Sequence, residues 1–236
     1  MPEKKIRYAQ HVSQESFVFM DPSRDTVFTA VRHGQTDANL SGVLQGHLDT
    51  PLDEIGRAQA RIAAERLKQE TFDLFYTSDL SRAVETARII GEALKMEPVP
   101  LPDLREWHLG ELEGRPHDEL KHEFPEVIRS FRHDMTDDIP VPGGESRNEF
   151  FARVGSCLDR LRLENPGARI LLVTHGGTLR AVYRHIAGVI DPGCLIPQPV
   201  NAGISRFRSH EGSWQMLSWN ETAHLAGIGQ KESLAF

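Results

Sequence analysis

Two histidines stand at places in the sequence where they could bind or react with an anion. His33 and His175 each come at the end of a short apolar run, and a glycine follows each of them directly. Glycine permits a tight turn and lets an anion approach the backbone N–H groups, to which a following helix adds its dipole. One histidine in such a place is more often structural than functional, whereas two after similar runs favour a shared anion site.

Two arginines and a carboxylate accompany the histidines. Arg32 precedes His33, and Arg82 lies just past the end of a third apolar run. Guanidinium groups match phosphate oxygens in a bidentate fashion. Glu106 stands next to Trp107, whose ring would shield a carboxylate from water. Alone, Arg82 would be interpreted as a solvated helix residue and Glu106 as ordinary surface charge, so it is the whole set that predicts a site.

The runs that end in these residues are typical of buried strands in a largely parallel sheet. They span residues 26–31, 74–77 and 170–174. Apolar residues recur at helical spacing within 55–62, 80–94, 151–161 and 179–186. Asp53 is placed to cap the first of these helices, and alternating residues in 203–208 and 214–219 predict a closing hairpin. We therefore predict a three-layer α/β/α sandwich around a mostly parallel sheet.

Residues 107–145 interrupt the alternation of strands and helices. They are charged, contain four prolines and end in a pair of glycines. This composition predicts a small helical flap or cap inserted into the domain. The expected organisation is an N-terminal extension over 1–25, one domain over 26–225 and a C-terminal tail over 226–236. A turn signal at Asp21, Pro22 and Ser23 marks the end of the extension.

Composition excludes several classes of function. The 236 residues include 27 lysines and arginines against 34 aspartates and glutamates, a net charge of −7 that argues against nucleic-acid and membrane-surface partners. The apolar runs are too short to span a bilayer. Cys157 and Cys194 lack disulfide or metal spacing, and the N-terminus lacks the apolar stretch of a secretory signal. We expect a cytoplasmic protein.

Six stretches of the chain follow one another as the motifs of a known family do. They are Arg32, His33, Gly34, Thr36 and Asn39; residues 45–52; Ser78, Leu80, Arg82, Ala83, Thr86 and Ala87; Leu104, Glu106, Gly110, Glu113 and Gly114; residues 142–146; and residues 173–177. Over roughly residues 26–220 the sequence resembles the histidine phosphatase superfamily, also called phosphoglycerate-mutase-like.

The resemblance implies covalent catalysis by a histidine. His33 would attack phosphorus to give a phosphohistidine, and the neighbouring guanidinium groups would lower its pKa and keep it neutral. Glu106 would protonate the leaving oxygen and then deprotonate the water that cleaves the phosphoenzyme. The groups implied to hold the phosphoryl oxygens or the substrate are Arg32, Arg82, His175, Asn39, Gln45, Gly46 and Gly176. No cofactor is implied, and the histidines lack metal-ligand spacing, so we predict no metal.

Departures from the mutase pattern favour the phosphatase branch. Leu109 replaces a tyrosine that follows the general acid in family mutases, and His117 replaces a lysine. Ala38 and His47 each stand where those mutases have a tryptophan. The main hypothesis is a metal-independent phosphomonoesterase, with a 2,3-bisphosphoglycerate-dependent phosphoglycerate mutase as the alternative. A non-catalytic phospho-ligand binding or regulatory module is the third hypothesis, which the presence of every catalytic residue disfavours.

The sequence gives only the class of substrate. We expect a small phosphorylated metabolite, such as a sugar phosphate or a phosphoglycerate-like ester, with a pocket rim formed by 107–145 and 192–201. Four basic residues in this rim could receive an acidic ester or belong to a solvated helix face, and both interpretations stay open: Arg115, His117, Lys121 and His122. Residues 220–225 resemble an element of small-metabolite phosphatases in this family. Homodimerisation also stays open.

Overall fold

A computed structural model of the chain describes residues 25–131, 138–188 and 198–228. Several predictions fall outside these ranges: the turn at Asp21, Pro22 and Ser23, nearly all of the N-terminal extension, Cys194, most of the 192–201 rim and most of the tail. The division of the chain into extension, domain and tail stays a prediction.

Six strands form one sheet in the order β3-β2-β4-β1-β5-β6 within the described ranges. They are β1 (Thr26–Arg32), β2 (Leu74–Thr77), β3 (Val99–Pro100), β4 (Arg169–Thr174), β5 (Ile204–His210) and β6 (Ser213–Glu221). The first four strands pair in parallel, and β5 and β6 add an antiparallel hairpin at one edge. The predicted mostly parallel sheet and the late hairpin are both confirmed.

Seven α-helices accompany the sheet in the part of the chain that the structure describes. They are α1 (Asp37–Ser41), α2 (Glu54–Leu67), α3 (Ser81–Leu94), α4 (His117–Glu123), α5 (Pro125–Ser130), α6 (Arg147–Glu164) and α7 (Gly176–Ala187). Asp53 caps α2 as predicted, its carboxylate accepting the Gly56 N–H at 2.6 Å. The short α4 and α5 lie in the segment predicted to be helical. No helix in the described ranges is long and apolar enough to cross a bilayer.

Alternation along the strands produces the three predicted layers. Phe28, Ile170 and Leu172 point into a core that also contains apolar residues of α6 and α7. The intervening Leu171 and Val173 point into a second core with apolar residues of α2 and α3. Both faces of β4 are therefore buried, which explains why its sequence is a continuous apolar run.

The sheet brings the ends of three strands together. In the register of β1 and β4, Arg32 lies beside Thr174, so the residues that follow these strands leave the sheet at the same edge. β2 pairs with the other side of β4, and the Ser78 N–H donates to Val173 O at 2.9 Å. The carboxyl ends of adjacent parallel strands are the usual place for a ligand in an open α/β sheet.

Candidate active site

The His33 and His175 rings face each other at this edge, with their centroids 5.1 Å apart. Both side chains are buried. His33 Nδ1 lies 2.7 Å from the Gly34 carbonyl oxygen. Because a carbonyl can only accept, this contact assigns the ring proton to Nδ1 and leaves the lone pair on Nε2. His33 therefore presents an unprotonated nitrogen that can act as a nucleophile.

Burial and positive charge together keep both imidazoles neutral. Burial is the largest cause that holds the pKa of His33 well below its ordinary value, and Arg82 and Arg32 lower it further. The pKa of His175 is lowered in the same way, by burial first and then by Arg82. The neutral form of His33 is the one that can attack phosphorus.

Ser78 orients the His175 ring. His175 Nε2 lies 2.7 Å from the Ser78 hydroxyl, which also accepts the Leu80 N–H at 3.3 Å. A hydroxyl has one proton and two lone pairs, so Ser78 can donate to Nε2 while it accepts the Leu80 N–H; in that arrangement the ring proton of His175 lies on Nδ1. Nδ1 is buried and has no hydrogen-bond partner among the described residues. It is thus a donor that a phosphoryl oxygen could satisfy.

Arg82 is almost completely buried at the start of α3, so the interpretation as a solvated helix residue is wrong. Its two terminal nitrogens donate to the Leu48 and Gly46 carbonyls, each at 2.8 Å. Burial lowers the pKa of Arg82 to about 10, an effect that Glu106 opposes. At that pKa the guanidinium stays charged at neutral pH, so Arg82 brings a fixed positive charge to the site.

Arg32 lies against the first turn of α7. Its Nη1 donates to the Pro199 carbonyl at 2.7 Å. A Cβ on Gly176 would stand 3.3 Å from the guanidinium carbon of Arg32, so glycine lets this group lie flat on the helix start. Burial lowers the pKa of Arg32 to about 10, and the charge is again retained at neutral pH.

The Glu106 carboxylate caps the amino end of α7. Its two oxygens accept the N–H groups of Gly177 at 2.9 Å and Thr178 at 3.0 Å, an arrangement that the helix dipole favours. The Glu106 carbonyl oxygen is held separately by His47 Nε2 at 2.8 Å and Arg153 Nη2 at 3.1 Å. The residue is therefore fixed at both its backbone and its side chain.

The Trp107 ring is positioned differently from the expectation that it would cover Glu106. The indole N–H donates to the Glu145 carbonyl at 2.9 Å, and the ring stacks on Phe150. It is the backbone N–H of Trp107 that contacts the Glu106 carboxylate, at 3.0 Å. The ring belongs to the core and to the cavity wall described next.

One cavity unites the predicted residues. Eight of the nine line it: Arg32, His33, Asn39, Gln45, Gly46, Arg82, Glu106 and Gly176. His175, the ninth, is fully buried against the His33 ring. The structure thus brings all nine together.

Asn39 and Gln45 reach the cavity from α1 and the segment after it. Asn39 Oδ1 accepts the Thr36 N–H at 3.1 Å, which forms part of the cap of α1. Gln45 Oε1 accepts the hydroxyls of Thr36 and Thr50. Because both amide oxygens are engaged within the protein, the amide NH2 groups are the ends available to a substrate.

Ten further residues line the cavity. Four of them lie in the 107–145 rim that the sequence predicted: Trp107, Leu109, Ser130 and Phe131. The sequence did not predict the other six: Val43, Leu44, Phe150, Phe151, Gly177 and Arg180. Arg180 had a signal, because it lies four residues after Gly176 and so shares its helix face. The aromatic residues had none, since their spacing is equally that of an ordinary core.

The four basic residues expected at the rim do not line the cavity. Arg115 pairs with Glu123 at 2.5 Å, and Lys121 pairs with Asp118 at 2.9 Å. His117 and His122 are likewise absent from the wall. The interpretation as an acidic-ester receptor is therefore not supported, and a largely solvated helix face describes Lys121 and His122.

The sequence profile of the histidine phosphatase superfamily (branch 1) matches residues 28–222, which includes every residue of the site. The chain belongs to the histidine phosphatase superfamily. The recognition made from the motifs is confirmed.

Relatives in this superfamily carry both phosphatase and mutase names. "Phosphoglycerate mutase-like protein 4" of Arabidopsis thaliana is 38% identical over 207 residues, covering 86% of this chain and 88% of that protein. "Metal-independent phosphoserine phosphatase" of the same plant is 34% identical over 230 residues, covering 96% and 92%. A mycobacterial glucosyl-3-phosphoglycerate phosphatase solved with VO3 is similar in structure, with a TM-score of 0.73 and 32% identity over 83% of this chain and 98% of that one.

Proposed function

We propose that this histidine phosphatase relative hydrolyses phosphomonoesters through a phosphohistidine on His33. The observation that carries the proposal is the state of His33, which is a buried, neutral imidazole. Its Nδ1–H is bound by Gly34 O, so that Nε2 carries the lone pair, and Arg82 and Arg32 help to lower its pKa. A nucleophile that splits one displacement into two is the mark of covalent catalysis.

In the first step, Nε2 of His33 attacks phosphorus, and the N–P bond forms as the ester P–O bond breaks. Arg32, Arg82 and the Nδ1–H of His175 hold the phosphoryl oxygens and stabilise the charge that they carry. Glu106, in its protonated form, gives its proton to the leaving alcohol oxygen.

In the second step, the Glu106 carboxylate takes a proton from a water molecule, which attacks phosphorus from the side that the alcohol has left. The N–P bond breaks, its electron pair returns to Nε2, and inorganic phosphate departs. Glu106 is then protonated again for the next cycle, and His33 is neutral.

The proposed reaction uses side-chain cations in place of a metal. Both guanidinium groups retain their charge at neutral pH despite burial, as their pKa values of about 10 indicate. The name of the Arabidopsis phosphoserine phosphatase supports a metal-independent reaction. The names of the relatives also support a small phosphorylated metabolite as substrate, since one acts on phosphoserine and another on glucosyl-3-phosphoglycerate.

Phosphoglycerate mutase activity is the second candidate, favoured by the name of a relative that is 38% identical. The wall of the cavity argues against it. Leu109, at the place of a mutase tyrosine, contributes an apolar surface, and His117, at the place of a mutase lysine, does not reach the cavity. The third candidate, a non-catalytic module, is disfavoured because all nine predicted residues converge.

The test is phosphate release from p-nitrophenyl phosphate in the presence of EDTA. We expect steady release by the wild type, loss of at least about 100-fold in His33→Ala because the nucleophile is gone, and no change in the exposed control His122→Ala. Release that EDTA abolishes, or that His33→Ala retains, would contradict the proposal. Transfer to 3-phosphoglycerate primed by 2,3-bisphosphoglycerate, faster than hydrolysis, would favour the mutase.

A further inference from the structure

Besides the side chains proposed to bind phosphate, the cavity has a wall of apolar side chains. Its apolar members come from the segment after α1, from the segment after Glu106, from the residue that follows α5, and from α6: Val43, Leu44, Trp107, Leu109, Phe131, Phe150 and Phe151. A phosphoryl group occupies only the end that His33 and the arginines line. The apolar wall therefore faces the alcohol part of a bound ester.

The rings of this wall are held rigidly by one another. Trp107 stacks on Phe150 with centroids 5.3 Å apart and planes 6° apart, and it meets Phe131 edge-on at 5.4 Å. The ring centroids of Phe151 and Phe150 lie 5.6 Å apart. Because close packing fixes their orientation, the rings offer a preformed surface and pay little ordering entropy on binding.

The lining of the cavity suits more than a phosphate. Seven of its eighteen described lining residues are apolar, and an apolar wall beside a few polar groups is typical of sites that bind a whole small molecule. Covering apolar surface that otherwise contacts water is favourable in proportion to its area. A ligand that places a flat apolar group against this wall gains that contribution, whereas a small polar alcohol does not.

Most polar groups near the wall are already engaged. The Ser130 hydroxyl donates to the Val127 carbonyl at 2.6 Å. Arg147 and Arg184 lie over the Phe151 ring, at 4.6 Å and 4.9 Å from its centroid. Arg180 does line the cavity, which makes an ester with an anionic tail the sharpest competitor to an apolar one.

We propose that this wall is a leaving-group subsite, and that the enzyme prefers phosphomonoesters whose alcohol carries an apolar, ring-sized group. The inference rests on the proposed phosphatase function. It differs from one of the two interpretations left open for the basic rim residues, namely that they receive an acidic ester.

Three esters of similar alcohols test the preference: 3-phenylpropyl, propyl and 3-carboxypropyl phosphate. Their leaving alcohols are close in acidity, so differences in kcat/KM report contacts of the tail rather than the ease of P–O cleavage. We expect 3-phenylpropyl phosphate to exceed propyl phosphate by about tenfold or more, as burial of an aromatic ring implies. Equal values, or a preference for the carboxylate, would overturn the inference.

A pair of phenylalanine variants tests whether the preference for the phenyl group arises at this wall. Phe151→Gln replaces a partly exposed ring of the wall and should lower the ratio of phenylpropyl to propyl kcat/KM by about threefold or more. Phe124→Gln is the matched control, because Phe124 is also partly buried under an arginine, Arg115 at 6.0 Å, but lies outside the cavity wall. An equal fall in both variants would overturn the assignment of the wall.

Binding to His33→Ala separates this inference from the proposed function. Calorimetry with this variant gives the Kd of each ester without turnover. Tighter binding of 3-phenylpropyl phosphate by about tenfold supports the subsite even if the wild type hydrolyses no ester, in which case the proposed function alone fails. Equal Kd values for the three esters overturn the subsite while leaving His33-dependent hydrolysis as a separate result.

Discussion

The buried neutral histidines tie the stability of the folded protein to pH. His33 has a lowered pKa in the folded chain and an ordinary value of about 6.5 when unfolded. Above that value both states are neutral, and below it only the unfolded chain takes up a proton. Stability should therefore fall as the pH drops from 7.5 to 5.5, by up to about 1.4 kcal/mol for this group.

Urea unfolding of wild type and His33→Gln at both pH values measures this contribution. Because the variant lacks the titrating group, it should lose less stability than the wild type over the same interval, by up to about 1.4 kcal/mol. His122→Ala, which removes an exposed histidine, should behave as the wild type does. An identical pH dependence of wild type and His33→Gln would show that His33 keeps an ordinary pKa in the folded state.

Ser78 should determine which nitrogen of His175 carries the proton. Ser78→Ala removes the hydroxyl that donates to Nε2, so the ring proton should shift toward that nitrogen and the donor to the phosphoryl oxygen is weakened. We expect kcat to fall by about tenfold, less than for outright removal of a transition-state donor, and Ser78→Thr to restore part of it.

Nitrogen NMR of the His175 ring distinguishes this effect from general damage to the fold. The wild type and Ser78→Thr should show the Nδ1–H tautomer, and Ser78→Ala should show a larger share of Nε2–H. If Ser78→Ala keeps the Nδ1–H tautomer, any loss of activity has another origin and the assigned role of Ser78 is wrong.

Among the secondary-structure elements, α6 supports the turn that carries Glu106. Arg153 on α6 donates from Nη1 to the Asp103 and Arg105 carbonyls and from Nη2 to that of Glu106, while Glu145 pairs with its guanidinium. Arg153 thus binds three successive parts of the turn that carries Glu106.

Arg153→Gln should therefore impair proton donation by Glu106. Poor leaving groups need this proton most, so kcat/KM should fall by about tenfold for propyl phosphate and much less for p-nitrophenyl phosphate. Arg162→Gln is the control, since Arg162 lies on the same helix but its guanidinium contacts Asp159, Ser209 and Gly212, away from the turn that carries Glu106. Equal losses with both esters would mean that Arg153 only stabilises the fold.

Elements could be predicted from sequence where they carry a continuous apolar run or a capping residue. β4 is apolar throughout because both its faces are covered, and α2 could be predicted from its Asp53 cap. The start of α6 at Arg147 was missed, although Ser146 and Glu149 form a capping box there. That signal lay in a segment whose prolines and glycines suggested an irregular structure.

The limits of prediction in the site come from long-range contacts. Whether Arg82 is solvated or buried depends on the Gly46 and Leu48 carbonyls, which lie more than thirty residues earlier in the chain. Phe150 has the spacing of a core residue, and it is one, yet it also lines the cavity. Sequence spacing cannot separate these two roles because both require an apolar ring at the same helix position.

At the scale of the whole molecule, the site exists only where separate parts of the fold meet. β1 and β4 deliver the two histidines, the start of α3 delivers Arg82, and the start of α7 meets Glu106 from a segment seventy residues away. The flap, α6 and the segment after α1 together add the apolar wall. Each part contributes one chemical function to the covalent reaction proposed for His33.

Trapping the phosphoenzyme tests that reaction most directly. Glu106→Gln mixed with p-nitrophenyl phosphate should still be phosphorylated, because nitrophenolate leaves without a proton, while the slowed water attack lets the intermediate accumulate. Quenching in alkali, which preserves phosphohistidine, and peptide mass spectrometry should place the phosphate on His33. Phosphate on another residue, or turnover that depends on His33 with no phosphoenzyme in either wild type or Glu106→Gln, would contradict the account.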